Sequence, residues 1–121
     1  MSTDRTVATH PDQLADLWIA RAAAQNLEGL VALYAPDAVM QLAPGSEPAV
    51  GREAIREAHT PIVAGEPASF PLGRRLTTLV AGDLALCSST ADGVGRTQVA
   101  RRGPDGTWLR VLDRPNPTPE A

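Results

Sequence analysis

The sequence predicts an α+β fold, a cone-shaped roll in which three N-terminal helices pack on a curved mixed or antiparallel sheet and enclose a pocket. Two observations lead to this class. Apolar residues recur every three or four positions through the first half of the chain, which is the period of an amphipathic helix. From about Ser69 onward the apolar residues alternate with polar ones, as in half-buried strands. Helices followed by an antiparallel meander bury one sheet face only if the sheet curls around them.

Caps and prolines mark the first two helices. Pro11 suits the first turn of a helix over about residues 11–25, and Thr9 can cap it. Asn26 caps a short second helix, which Pro36 is expected to end. The apolar face of this second helix consists of Leu27, Leu30, Val31 and Tyr34.

A strand and a third helix follow. Residues 37–42 alternate as a strand does, and the turn-forming residues 44–48 come next. Gly51 opens the third helix, and the missing N–H of Pro61 predicts that it kinks or ends near Thr60. His59 interrupts the otherwise apolar face of this helix.

The second half predicts four strands separated by glycine-containing turns. The predicted strands are Leu76–Val80, Leu84–Thr90, Gly93–Arg102 and Thr107–Asp113. Strict alternation along the last strand places Leu109, Val111 and Asp113 on the inner face of the sheet. It places Trp108, Arg110 and Leu112 on the outer face, with Arg110 in solvent or against a partner subunit.

Composition narrows the class of protein. The 121 residues, 43% hydrophobic and with a net charge of −3, predict one domain over residues 1–121 with loose ends at about 1–9 and 115–121. The acidic balance argues against nucleic acid, and no run of about 20 apolar residues predicts a membrane span. The single cysteine, Cys87, allows no intrachain disulfide, and we expect a cytoplasmic protein. With only His10 and His59 as imidazoles we expect no metal, and we expect no cofactor.

Three segments resemble the bacterial ketosteroid isomerases and the wider nuclear transport factor 2-like superfamily, which includes SnoaL-like polyketide cyclases. They are NLEGLVALYAPDAV at 26–39, PGSEP at 44–48 and GREAIRE at 51–57. The ending DGTWLRVLDRP at 105–115 is similar to the YybH-type and SgcJ/EcaC-type proteins. The resemblance implies three helices against a curved sheet, an apolar cavity and a homodimer formed through the outer sheet face. Apolar surface on that face is expected from Cys87, Val99, Trp108 and Leu112.

The resemblance also implies that the isomerase reaction is lost. The isomerases use a carboxylate base where this chain has Leu42, and a tyrosine and a protonated aspartic acid where it has Trp18 and Gln98. Leucine cannot exchange a proton, so we expect no steroid isomerisation by the family mechanism. In the same match His59 takes the position of an aromatic that supports the catalytic tyrosine, and Tyr34 is at a neighbouring pocket position.

His59 and Asp113 are the predicted catalytic pair, with His59 as acid/base and Asp113 orienting its ring. The alternative is that Asp113 satisfies a buried group such as Trp18 or Tyr34, while His59 bonds a backbone carbonyl. Trp18 either packs in the core or forms a surface on which a ligand lies. Gln98 is either a hydrogen-bond donor in the pocket or an ordinary strand residue. The predicted substrate-binding residues are Trp18, Tyr34, Met40, Leu42, Leu86, Gln98, Leu109 and Val111.

Three functions remain open at this point. The first is a cofactor-independent isomerase, cyclase, dehydratase or hydrolase acting on a small apolar molecule. The second is a non-catalytic protein that binds a hydrophobic metabolite in the same cavity. The third is a dimerisation module whose cavity is vestigial.

Overall fold

Three helices precede most of the strands in a computed structural model, which describes residues 6–43, 45–65, 74–91 and 94–115. The helices are α1 (Gln13–Ala23), α2 (Leu27–Val31) and α3 (Gly51–Ala64). The strands are β1 (Tyr34–Met40), β2 (Ala49–Val50), β3 (Arg74–Arg75), β4 (Leu79–Ala81), β5 (Leu84–Ala91), β6 (Val94–Arg102) and β7 (Trp108–Arg114). No helix within these ranges is long and apolar enough to cross a membrane.

The strands form one curved, unclosed sheet in the order β2-β1-β7-β6-β5-β3, and β4 also pairs with β5. The β1–β7 pair is parallel, whereas the other pairs are antiparallel. The main core lies between the helices and the inner sheet face, where Leu14, Tyr34, Met40 and Ile55 are all at most 2% exposed. The predicted α+β roll of three helices on a curved sheet is therefore confirmed.

The second helix is shorter than the apolar pattern predicts. The Asn26 cap forms as expected, with its side chain accepting from the Gly29 amide at 3.0 Å. The helix nevertheless ends at Val31, and Tyr34 begins β1 instead of extending the helix. Pro36 is tolerated inside β1 because the pairing with β7 is irregular between Tyr34 and Val39, so the missing N–H interrupts no regular ladder.

The third helix is longer than expected. It continues through Pro61 to Ala64, so the helix does not end near Thr60, and the alternative of a kink there stays a prediction. A proline at this position removes a single hydrogen bond to the carbonyl four residues earlier. The Thr60 hydroxyl meanwhile donates to the Arg56 carbonyl at 2.8 Å.

A bulge in β7 overturns the strict alternation predicted for that strand. On β6, Val99 lies opposite Leu112 but the next residue, Ala100, lies opposite Arg110. Val111 is therefore an extra residue, and the side-chain alternation shifts by one at this point. Arg110 consequently faces inward together with Asp113, and both are buried.

The outer face differs correspondingly from the prediction. Trp108 is 5% exposed and packs in the core, so its predicted place on the outer face is wrong. Cys87 lies opposite Gln98, which lies opposite Asp113, so Cys87 also faces inward. Val99 and Leu112 lie opposite one another on the outer face, as expected.

Residues near the N-terminus contact the rest of the fold. The Ala8 carbonyl accepts from the Trp108 amide at 2.9 Å, and Ala8 is 1% exposed. Arg21 donates to the Thr6 carbonyl. Whether the ends at about 1–9 and 115–121 are loose stays a prediction, and residues 1–5 and 116–121 lie outside the described ranges.

Candidate functional site

A cavity of about 250 Å³ lies between α1, α3 and the inner face of the sheet. Trp18 and Ile19 line it from α1, and His59 and Ile62 from α3. A row of residues that face one another across the strands forms part of the floor. This row contains Gln98, Asp113 and Met40.

The cavity contains both predicted catalytic residues, His59 and Asp113. Five of the predicted substrate-binding residues also line it, namely Trp18, Tyr34, Met40, Leu42 and Gln98. Arg96, which shares the parity of Gln98 along β6, reaches the cavity as well.

Three predicted binding residues do not line this cavity. Leu86 faces outward because it lies opposite Val99, and it is 40% exposed. Leu109 and Val111 are half-buried and pack against the core. Val111 is the extra residue of the β7 bulge, and beyond the bulge Leu109 no longer shares a sheet face with Asp113. The prediction was wrong on the placement of all three.

Arg110 also lines the cavity. The prediction that it lies in solvent or against a partner subunit is wrong. The Arg110 side chain is 7% exposed. Nothing in the local sequence marks the bulge that turns it inward, since the register is set by the two neighbouring strands. Ile19 and Ile62 line the cavity and were not predicted as binding residues, although helical spacing places Ile19 four residues after Ala15 and Ile62 three residues after His59.

Three side chains surround the carboxylate of Asp113. Tyr34 donates its hydroxyl to Oδ2 at 2.6 Å, and Gln98 donates Nε2–H to Oδ1 at 3.1 Å. Arg110 Nη1 lies 3.6 Å from Oδ2. Burial, reinforced by the adjacent Asp113 carboxylate, raises the pKa of Tyr34 well above its ordinary value, so the phenol is a neutral donor at physiological pH.

His59 is held by both ring nitrogens. The Trp18 indole can only donate, so Nε2, at 3.2 Å from Trp18 Nε1, is the acceptor. The proton is therefore on Nδ1, which donates to the Ile55 carbonyl at 2.8 Å. Burial lowers the pKa of His59, which favours this neutral imidazole.

The two predicted catalytic residues therefore share the cavity without bonding one another. Among the described residues, Asp113 receives its hydrogen bonds from Tyr34 and Gln98, and His59 bonds Trp18 and Ile55. Asp113 contributes only a through-space attraction to His59. This geometry matches the alternative in which Asp113 satisfies a buried group and His59 bonds a carbonyl.

The chemistry available in the cavity is that of proton exchange and hydrogen bonding. A carboxylate oxygen has more than one lone pair, so Asp113 can accept from a ligand while it keeps the bonds from Tyr34 and Gln98. No group of three or more His, Cys, Asp or Glu side chains able to hold a metal ion occurs in the part of the chain that the structure describes.

The fold is shared with many known structures. A ketosteroid isomerase-like protein from Erwinia carotovora atroseptica is 17% identical with a TM-score of 0.69, over 89% of this chain and 94% of the other. A protein from Streptomyces avermitilis, provisionally named a dehydratase of the NTF2-like family, is 22% identical with a TM-score of 0.71, over 90% and 94%. A Thiobacillus denitrificans protein, provisionally named a calcium/calmodulin-dependent protein kinase type II association domain, is 20% identical with a TM-score of 0.71, over 92% and 98%.

These identities establish a common fold and leave the activity open. No curated protein sequence matches the chain significantly. The SnoaL-like domain family, in contrast, matches residues 15–114, which is most of the chain. The chain therefore belongs to the SnoaL-like domain family, and its fold is that of the nuclear transport factor 2-like proteins.

Proposed function

We propose that this protein is a cofactor-independent enzyme that acts on a small, mostly apolar molecule by general acid/base chemistry in the cone cavity. The observation that carries the proposal is the carboxylate of Asp113. It is buried at the wall of a cavity otherwise lined largely by apolar side chains, and fixed donors from Tyr34 and Gln98 orient it. These donors fix the orientation of the carboxylate, and its remaining lone pairs can accept a proton from a bound molecule.

The proposal gives the proton-exchanging role to Asp113 and a positioning role to His59. The Nε2 lone pair of His59 is occupied by the Trp18 indole, and its Nδ1 proton by the Ile55 carbonyl. His59 therefore has no lone pair left for a substrate proton unless Trp18 moves away. Its contribution is to hold the Trp18 ring against the cavity.

The same cavity argues against steroid isomerisation by the isomerase family's mechanism. Leu42 lines the cavity at the position that the resemblance assigns to the isomerase base, and a leucine side chain exchanges no proton. We therefore expect no measurable turnover of a 5-ene-3-ketosteroid by the wild-type protein. Rapid, stereospecific isomerisation would contradict this assignment.

A non-catalytic binding protein is the second candidate. It is favoured by one observation, that Tyr34, His59 and Asp113 all have hydrogen-bond partners within the protein without any ligand. A cavity of about 250 Å³ argues against the third candidate, a dimerisation module with a vestigial pocket, because a plugged cone has no such space.

The deciding experiment follows small cyclic and aryl ketones in D₂O by NMR. We expect hydrogen next to the carbonyl to exchange for deuterium with wild type, and Asp113→Asn to slow this about 100-fold or more, within the usual range for general acid/base catalysis. Asparagine preserves shape and can still accept from Tyr34, and urea unfolding of the variant checks that it is folded. The matched variant His59→Gln should reduce exchange far less.

The possible results separate the three candidates. Exchange that survives Asp113→Asn but is lost in His59→Gln would overturn the assigned roles. Ketones that bind without any exchange would indicate the binding protein, and the absence of both would leave the dimerisation module.

The outer sheet face supports a homodimer as part of the proposal. Apolar residues lie opposite one another across six strands, from β4 to β2, in a continuous row. The row is Leu79, Leu86, Val99, Leu112, Val39 and Val50. Leu79, Leu112 and Val50 are 63%, 51% and 66% exposed, an apolar surface of the kind that marks an interface. Sedimentation as a monomer at micromolar concentration would refute the dimer.

A further inference from the structure

A hydrogen bond between side chains of two helices forms part of the wall of the main cavity. Trp18 of α1 donates from Nε1 to Nε2 of His59 on α3 at 3.2 Å. The two rings lie 5.9 Å apart between centroids and are tilted by 59°. Trp18 is half-buried, whereas His59 is only 1% exposed. The bond therefore ties a partly exposed ring to a fully buried one.

This hydrogen bond requires a neutral imidazole. Nδ1 of His59 lies 2.8 Å from the Ile55 carbonyl oxygen, which can only accept, so Nδ1 keeps its proton in both charge states of the ring. A second proton must therefore go to Nε2. The Trp18 indole has a single N–H and can only donate, so a protonated Nε2 faces it donor to donor. The bond is lost whenever His59 is charged.

The charged groups that face His59 across the cavity come from the sheet. Asp113 and Arg110 on β7 act on the imidazole with opposite signs, and Arg96 on β6 lines the same cavity. Tyr34 on β1 lies 5.5 Å away between ring centroids, and its hydroxyl stays protonated at physiological pH. Burial is the largest influence and lowers the pKa of His59, so the ring is neutral at pH 7 and gains its proton at lower pH.

The other elements packed against His59 bring no further charge to the cavity within the described ranges. The residues of α1 that line it are Ala15, Trp18 and Ile19, which do not titrate, and β2 consists of Ala49 and Val50. The charged residues of α3 itself do not line the cavity, and these are Arg52, Glu53, Arg56 and Glu57. Arg56 pairs with the exposed carboxylate of Glu28 on α2.

We propose that Trp18 and His59 form a pH-dependent latch on the cavity, in which a proton on His59 Nε2 releases the indole and opens the wall between α1 and α3. A half-buried indole that loses its acceptor is more stable with its N–H turned toward water. The inference rests on the proposed function in that it regulates the same site, where Asp113 keeps the proton-exchanging role. The apolar wall against which a substrate packs is thus complete only while His59 is neutral.

The competing explanation is that the indole stays in place after protonation. A charged imidazole beside an indole ring is attracted to the aromatic face, and the centroid distance of 5.9 Å is within the range of that attraction. The experiment must therefore follow the position of the Trp18 ring as well as its hydrogen bond.

The test is an NMR titration of the wild-type protein without ligand, from about pH 7.5 downward. The chain has two tryptophans, so the Trp18 indole resonance is assigned by its loss in Trp18→Phe. As His59 gains its proton, the Trp18 Nε1–H resonance should move toward that of a water-exposed indole with the same midpoint, and nuclear Overhauser contacts between the two rings should disappear. The indole of Trp108, which is 5% exposed in the core, should not move and reports that the fold persists.

Three variants test the latch from both sides. Trp18→Phe keeps a ring but gives Nε2 no donor, so the neutral imidazole loses a partner and the His59 midpoint should rise by about 0.5–1 pH unit. Ile19→Ala is the matched control, because it enlarges the same wall without removing the bond, and it should leave the midpoint nearly unchanged. His59→Gln keeps an acceptor for the indole and has no proton to gain, so the Trp18 resonance should not change over this pH range.

Three results would overturn the latch. The first is a Trp18 resonance that does not follow the His59 titration, or ring contacts that persist after protonation, which would favour the attraction between the charged imidazole and the indole. The second is an equal rise of the His59 midpoint in Trp18→Phe and Ile19→Ala, which would indicate entry of water instead of a lost bond. The third is a His59 that stays neutral in both wild type and Trp18→Phe down to the pH at which Trp108 reports unfolding.

These measurements need no ligand, so the latch and the proposed enzyme can fail separately. Deuterium exchange that depends on Asp113 in a protein whose Trp18 never responds to His59 would support the enzyme and overturn the latch. A Trp18 resonance that follows His59 in a protein that exchanges no hydrogen of any ketone would support the latch and overturn the enzyme.

Discussion

Burial of the Tyr34 hydroxyl should make the folded protein sensitive to alkali above about pH 10. The chain has one tyrosine and no lysine, so few side chains titrate above about pH 9. Burial raises the pKa of Tyr34 in the folded state, whereas the unfolded chain releases this proton near pH 10. Above that pH the unfolded state binds fewer protons, so the free energy of unfolding falls by about 1.4 kcal/mol per pH unit.

Tyr34→Phe removes the hydroxyl and leaves the ring that fills the core. At neutral pH we expect a loss of about 1.5–3 kcal/mol, the range for a hydrogen bond to a charged group. At about pH 11.5 wild type should itself have lost about 2 kcal/mol through Tyr34, while the variant has no such group to titrate. The stability difference between the two proteins should therefore shrink toward zero as the pH rises.

The assay is urea unfolding followed by tryptophan fluorescence from pH 7 to about pH 11.5, with both proteins in a Cys87→Ser background. This background is needed because burial also raises the pKa of the Cys87 thiol, which adds a slope of its own at lower pH. Tyrosinate absorbance of the folded protein reports Tyr34 alone, because it is the only tyrosine. Tyrosinate that forms near pH 10 in the folded protein, or an equal pH slope in the two proteins, would refute the reasoning.

Three further predictions concern separate parts of the molecule. Because burial lowers the pKa of His59, stability should decrease as the pH falls below about 6.5, by at most about 1.4 kcal/mol per unit. An NMR titration of His59 checks this, and a His59 pKa at or above the ordinary histidine value of about 6.5 contradicts it. Asn26→Ala should cost about 1 kcal/mol in urea unfolding because the cap on Gly29 is lost, whereas an unchanged midpoint would mean that the cap is not needed. Leu112→Arg should raise the dimer dissociation constant about tenfold or more by placing a charge in the outer apolar row, and a sedimentation profile like that of wild type would argue against that interface.

The elements that depend on local chemistry were predictable. Asn26 caps a helix because its side chain accepts from an amide three residues later, whatever the rest of the chain does. Gly51 opens the third helix at a φ of 86°, a conformation that residues with side chains rarely adopt. His59 reaches the cavity because the spacing of an amphipathic helix places it there.

The features that depend on strand register were not predictable. Alternation along β7 places Arg110 and Asp113 on opposite faces, and only the bulge at Val111 brings them to the same one. That bulge is fixed by the simultaneous pairing of β7 with β1 and β6, which no single segment encodes. The same limit applies to Leu86 and Cys87, because the face of each residue follows from its partner on β6.

The parallel pairing of β1 with β7 also has a consequence for assembly of the fold. The last strand in chain order occupies an interior position of the sheet, and it joins Tyr34 to Arg110 across most of the chain. Such long-range pairing slows folding, because a large loop must close before its contacts form. A nascent chain on the ribosome thus has its helices before it can complete its sheet, and Arg110 and Asp113 enter the cavity only when β7 inserts. A protein shortened before residue 108 would lose Arg110, Asp113 and the centre of the sheet together.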